Sequence, residues 1–176
     1  MTQSITSAVT SGQDKQIVRF IAETRFLKPV SKSTAPARTK PFNAAAFYQT
    51  GTGLYIYNTF ADYLDLNARQ TVDSAPERPY VASLLKANAY DKDIRKELPE
   101  THLSTLEDLA GFIEAQPGGK SGFLLSNGYA NICYVEGKEG VVFAVSVHWL
   151  SDYRQWHVRG WELDEDGYWG ADYRVL

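Results

Sequence analysis

Residues 121–176, SGFLLSNGYANICYVEGKEGVVFAVSVHWLSDYRQWHVRGWELDEDGYWGADYRVL, hold the pattern that decides the fold. Runs rich in Val, Ile, Phe, Tyr and Trp alternate with four turn signals: Asn127-Gly128, Gly137-Lys138-Glu139-Gly140, Ser151-Asp152-Tyr153-Arg154 and Asp164-Glu165-Asp166-Gly167. Asn-Gly marks a hairpin because both turn positions take positive φ. The pattern predicts an antiparallel meander of five strands. With each turn centred on its loop, the register of every strand follows and side chains alternate between two faces.

One face then collects Phe123, Leu125, Ala130, Ile132, Tyr134, Phe143, Val145, Val147, Trp149, Trp156, Val158, Tyr173 and Val175. This is the expected core face, with Trp149 opposite Trp156, Val147 opposite Val158, and Glu162 as its misfit. The other face divides. Val135, Val142, Ala144, Trp161, Leu163 and Tyr168 form an apolar end. Tyr129, Asn131, Ser146, His148, His157, Arg159, Asp172 and Arg174 form a polar end, where His148 faces His157 and Arg159 faces Asp172 as a favourable cross-strand pair.

Upstream, Ser104-Thr105-Leu106-Glu107 has the form of a capping box, in which the serine oxygen takes an unpaired amide and Glu107 reaches back to the cap. Leu106, Leu109, Ala110 and Ile113 follow as one apolar stripe, and Pro117-Gly118-Gly119 ends the helix. That helix should lie across the core face. Val81, Leu84, Leu85 and Asn88 recur at helical spacing, which predicts a helix over Tyr80–Tyr90, with a further turn over Asp91–Leu98 before Pro99. Phe42–Tyr48 and Leu54–Phe60 flank Gly51-Thr52-Gly53 and read as two strands joined by a glycine turn, bearing Tyr48, Tyr55 and Tyr57. Lys28–Pro41, with its prolines and four basic residues and no acid, reads as a loop. Lys15–Leu27 alternates as a strand, and residues 1–13 read as a flexible tail ahead of a single domain over 14–176. The fold class expected is α+β: a C-terminal meander, one or two helices on one face, and additional N-terminal strands.

The net charge of −3 disfavours a whole-surface grip on nucleic acid or an anionic membrane. One cysteine, Cys133, excludes an internal disulfide and a cysteine-rich zinc site. No secretory h-region and no apolar run of spanning length is visible, so a soluble cytoplasmic protein with no membrane role is expected. Gly119-Lys120-Ser121 lacks the upstream glycine of a P-loop, and Asp164–Gly167 lacks the downstream ligands of a calcium loop.

The chemistry-bearing residues converge on the polar end. His148 and His157 have the residue type for acid–base work or for two ligands of a metal, with Asp152 the nearest carboxylate in sequence, but HExxH and CxxC spacings are missing. Cys133 falls several rows from His148, which reads as a structural thiol. The candidate binding set is Tyr129, Asn131, Ser146, His148, His157, Arg159, Trp161, Asp172 and Arg174, with no catalytic residue, metal or cofactor assigned. Aromatic residues at 13%, together with arginine on one face, fit a non-enzymatic binding protein whose partner is another protein. The alternatives are a small hydrolase or nuclease using His148 and His157, and a single-stranded nucleic-acid module in which bases stack on the rings.

Overall fold

The computed structural model describes residues 24–51, 53–99, 102–163 and 167–176. Along the chain these form β1 (Leu27–Ala35), α1 (Ala44–Phe47), β2 (Leu54–Ile56), α2 (Asn58–Tyr63), β3 (Arg78–Leu85), β4 (Ala89–Tyr90), α3 (Asp91–Glu97), β5 (Leu103–Ser104), α4 (Leu106–Ala115), β6 (Asn131–Glu136), β7 (Val142–Leu150), β8 (Gln155–Trp161), β9 (Tyr168–Trp169) and β10 (Arg174–Val175). The class is α+β. Eight strands make one mostly antiparallel, open sheet in the order β1-β3-β10-β6-β7-β8-β2, with β5 also pairing β6, while β4 and β9 form a separate ribbon.

Both faces of the sheet are covered, by different layers. On the first, Cys133, Val135, Phe143, Val145, Val147, Trp149, Trp156 and Val158 pack with α1, α2 and the stripe of α4. On the second, Ile132, Tyr134, Ala144 and Val175 pack under Ile94 of α3 and under Ala89 and Trp169 of the β4–β9 ribbon. The α4 stripe behaves as its spacing predicts, with Leu106, Leu109, Ala110 and Ile113 all buried. Its cap is one residue later than expected: the Thr105 hydroxyl accepts from the Asp108 amide at 3.2 Å, and Ser104 belongs to β5.

The five-strand C-terminal meander reduces to three strands, β6, β7 and β8. Its first expected strand, around Phe123 and Leu125, is absent because side-chain amides take the place of a neighbouring strand. Gln116 bonds the carbonyls of Lys120 and Leu124 and the Leu124 amide, and Asn131 bonds both the amide and the carbonyl of Leu125. Asn127 accepts from the Tyr129 amide in a local turn instead of closing a hairpin. Nor does the chain end pair with β8. β9 pairs β4, and β10 slots between β3 and β6, parallel to β6.

The β7–β8 register agrees with the centred turn, so Trp149 faces Trp156, Val147 faces Val158 and His148 faces His157. The β6–β7 register is shifted by one residue. Five residues, 137–141, connect these strands, with left-handed Glu139 and Gly140 and a Gly137 amide bonded to the Val141 carbonyl, so Tyr134 pairs Ala144 and Val135 pairs Phe143. A one-residue shift exchanges the faces of a strand. Ile132 and Tyr134 therefore lie on the second face, while Asn131, Cys133 and Val135 lie on the first.

Four N-terminal expectations change. Tyr80–Tyr90 is not a helix: its first half continues β3, buried between β1 and β10 as an apolar run whose helical and strand readings spacing alone does not separate. Lys28–Pro41 is not all loop, because β1 occupies Leu27–Ala35 as an edge strand, where Pro29 and the exposed Lys28 and Lys32 guard a free edge. Phe42–Tyr48 contains α1, capped by the Asn43 side chain on the Ala46 amide, and Leu54–Phe60 splits into β2 and the start of α2. The expected tail and residues 15–23 of the expected first strand lie outside the described residues.

Two contacts fix the layers. On the second face, Asp91 Oδ1 accepts the Tyr134 hydroxyl and the Trp169 indole N–H, each at 2.7 Å, tying α3 and β9 to β6. Asp91→Ala leaves both donors buried without an acceptor and should lower unfolding free energy by about 1–3 kcal/mol for each. Asp91→Asn keeps an acceptor oxygen and should lose less, an order that urea denaturation measures directly. On the first face, a Cβ at Gly160 would meet Phe60 Cα at 3.0 Å and the Thr59 carbonyl oxygen at 3.1 Å. Both are backbone atoms, so Gly160→Ala should push α2 away and lower the thermal midpoint, by the equivalent of about 1–3 kcal/mol.

Candidate binding surface

The described residues do not cover the second face to its end. The α3 and β4–β9 layer reaches as far as Trp161, whose ring meets Trp169 edge-on at 5.7 Å. Beyond it, β8 and β7 continue with Arg159, His157 and His148, and β2 adds the edge of the sheet. β2 is held parallel to β8 by bonds from the Trp156 amide to the Gly53 carbonyl and from the Tyr57 amide to the Val158 carbonyl. That pairing places Tyr55 beside His157.

Rings and one cation form a continuous row there. The Tyr55 ring stacks on His157 at 4.8 Å and 24°, and Tyr57 and Tyr153 approach the same imidazole at 6.0 and 5.8 Å. The Arg159 guanidinium lies 3.7 Å from the centre of Trp161 and 5.5 Å from that of Tyr57. The Trp161 indole N–H donates to Ser146 Oγ at 2.8 Å, which gives this buried serine a partner and fixes the plane of the ring. Tyr153 and Tyr55 are the open rings, 68% and 38% exposed, whereas His157 beneath them is only 7% exposed.

Of the residues expected at this site, Ser146, His148, His157, Arg159 and Trp161 come together. The others lie apart. Asn131 is fully buried on the first face, bonded to Leu125 and to the Val147 carbonyl. Arg174 also points to the first face and donates to the Phe123 carbonyl. Asp172 is exposed in a left-handed turn whose amide bonds the Leu85 carbonyl, so Arg159 has Ser146 opposite it instead of Asp172. Tyr129 packs against Tyr173 at 6.0 Å. Cys133, fully buried on the first face, has its thiol pushed up to about 12 by burial and is separated from His148 by the sheet itself.

Tyr55, Tyr57 and Tyr153 join the site without having been expected in it. The Tyr55-x-Tyr57 spacing was a visible signal of an aromatic strand face. Its parallel pairing to β8, a hundred residues downstream, leaves no local mark.

A cavity of about 230 Å³ opens by Asn127, Trp149, Asp152 and the site's own Tyr153, and one of about 170 Å³ lies by Arg69 and Glu136; neither is lined by His148, His157 or Arg159. Among the described residues no three His, Cys, Asp or Glu side chains gather as a metal site. Both His157 ring nitrogens are shielded and without a hydrogen-bond partner. No helix among the described residues is long and apolar enough to cross a membrane. Compared with protein-family models, with curated proteins and with solved structures, the chain matches none.

Burial, followed by the charges of His157 and Arg159, holds the His148 imidazole below its ordinary value of 6.5, and burial does the same to His157. Both rings are therefore favoured neutral in the fold. As pH falls below 6.5 the unfolded chain takes up protons first, so the stability present above that value is lost as pH falls through the folded values. Urea midpoints from about pH 7.5 to about pH 5 should decline, and the His148→Gln/His157→Gln double variant should decline less steeply. The third histidine, His102, is also lowered by burial and should leave a residual slope in that variant.

Proposed function

We propose that the protein is a non-enzymatic binding protein whose partner is another protein, and that its working surface is the uncovered corner of the second sheet face around Tyr55, His157 and Arg159. The observation that carries this reading is the row of rings with an arginine set among them on a surface where the Tyr55 and Tyr153 rings are exposed. Tyrosine, tryptophan and arginine dominate contact energy in protein interfaces, because they bring large area with few torsions to freeze. A small substrate is held in a concave site that buries most of it, and neither of the two cavities is lined by His148, His157 or Arg159.

The hydrolase or nuclease reading draws on His148 lying opposite His157. Against it, a working base is oriented by a partner on its second nitrogen, and His157 has none on either. Elemental analysis of the purified protein separates the two readings: a stoichiometric transition metal would favour hydrolysis.

The binding reading is tested by quantitative affinity capture with wild-type protein and the Tyr55→Ser/Arg159→Ala double variant. The proteins captured by the wild type should fall by about tenfold or more with the variant, a loss of at least about 1.4 kcal/mol, while its thermal midpoint stays close to wild type. An identical set captured by both would refute the surface.

A further inference from the structure

Resting on that reading, the geometry points to Arg159 as a carboxylate socket, a guanidinium set against two rings that takes an Asp or Glu side chain from an acidic peptide segment of the partner protein. Ser146 anchors the Trp161 indole, and the guanidinium carbon lies over the Trp161 ring at 3.7 Å and over the Tyr57 ring at 5.5 Å from their centres. A guanidinium held over a ring by its charge keeps its terminal N–H donors, which can meet a carboxylate through two parallel bonds. The Nε of Arg159 is shielded and has no hydrogen-bond partner, so an incoming carboxylate is met by the terminal Nη groups.

Among the described residues, those beside Arg159 on this face supply no counter-charge. Directly across β7 is Ser146, the next residues on that face of β7 are Ala144 and His148, and those along β8 are His157 and Trp161, all without a carboxylate. Two arginines elsewhere do find acids within the fold, Arg38 with Glu114 at 2.7 Å and Arg78 with Asp108 at 3.1 Å. Arg159 is thus a positive charge whose side-chain freedom is reduced by its contact with Trp161, and such preorganisation favours capture of an anion from outside. One arginine beside neutral imidazoles complements one carboxylate. A nucleic-acid strand presents a phosphate at every nucleotide and gains from many cations, which a chain of net charge −3 with so few at this corner does not provide.

The test selects random dodecapeptides displayed on phage against the immobilised full chain, then measures selected peptides by titration, with oligothymidylate as a parallel probe. The expected result is enrichment of peptides with an Asp or Glu, which weaken by about fivefold or more both on Asp→Asn or Glu→Gln exchange and with Arg159→Ala protein, the two losses not adding. Arg159→Lys should retain part of the affinity but favour the acidic peptide less. Added salt should weaken the acidic peptide more than its amide counterpart. Peptides that need Tyr55 and are indifferent to acid removal would overturn the socket and leave the binding surface standing. Oligothymidylate that binds through Arg159 where no peptide does would overturn the socket in favour of nucleic acid. Selection of nothing that depends on Tyr55 or Arg159 would overturn both socket and surface.

Discussion

A sheet covered on both faces must satisfy two different layers with one set of strands, and β6 carries that constraint here. Its even-numbered side chains, Ile132 and Tyr134, face α3, while its odd-numbered ones, Cys133 and Val135, face the layer of α1, α2 and α4. Tyr134 then reaches Asp91, and the same carboxylate oxygen holds Trp169. Burial pushes the Asp91 carboxyl above its ordinary value, so its two donors offset part of the penalty of enclosing a charge. Covering layer and sheet are joined at this point by polar contacts whose loss would be felt on both sides.

The exposed corner follows from where that covering layer stops. Trp161 is the boundary, touching Trp169 on its covered side and Arg159 on the other. Past it no helix among the described residues crosses the second face of β7 and β8, and the edge strand β2 brings tyrosines instead. The outer edge of β2 is itself occupied by its own preceding turn, since the Thr50 hydroxyl accepts from the Ile56 amide and Gly51 bonds Leu54 in both directions. The open surface is therefore a face of side chains and not an unpaired backbone edge, which limits association by strand addition.

Side chains also substitute for strands in the C-terminal half. Gln116 and Asn131 bond the backbone of residues 120–125, so a segment of strand-like composition is held without a ladder. The buried amide of Asn131 reaches the Val147 carbonyl as well, and so links this segment to β7. These contacts explain why Asn131, read as part of a polar surface, lies wholly within the first core.

Local pattern by itself determined the α+β class, the α4 stripe, the turn of helix before Pro99, and the β7–β8 hairpin with His148 opposite His157, because spacing and a centred turn are written within a few residues of each other. It placed Ser146, His148, His157, Arg159 and Trp161 on one face, since alternation along two strands joined by a short turn requires it. What only the tertiary structure decided depended on distant partners. The five-residue connection after Glu136 fixed its register by left-handed Glu139 and Gly140, and composition does not say which of two neighbouring registers such a loop adopts. β3 read as a helix because a strand buried on both faces loses its alternation, and β10 reached its place between β3 and β6 through pairings remote in sequence. Tyr55 and Tyr57 came to the site by the same long-range route. The alternation within Ser121–Leu176 was local information, but the covering of the second face was set by the pairing of β4 with β9 and the docking of α3, and its tyrosine edge by β2.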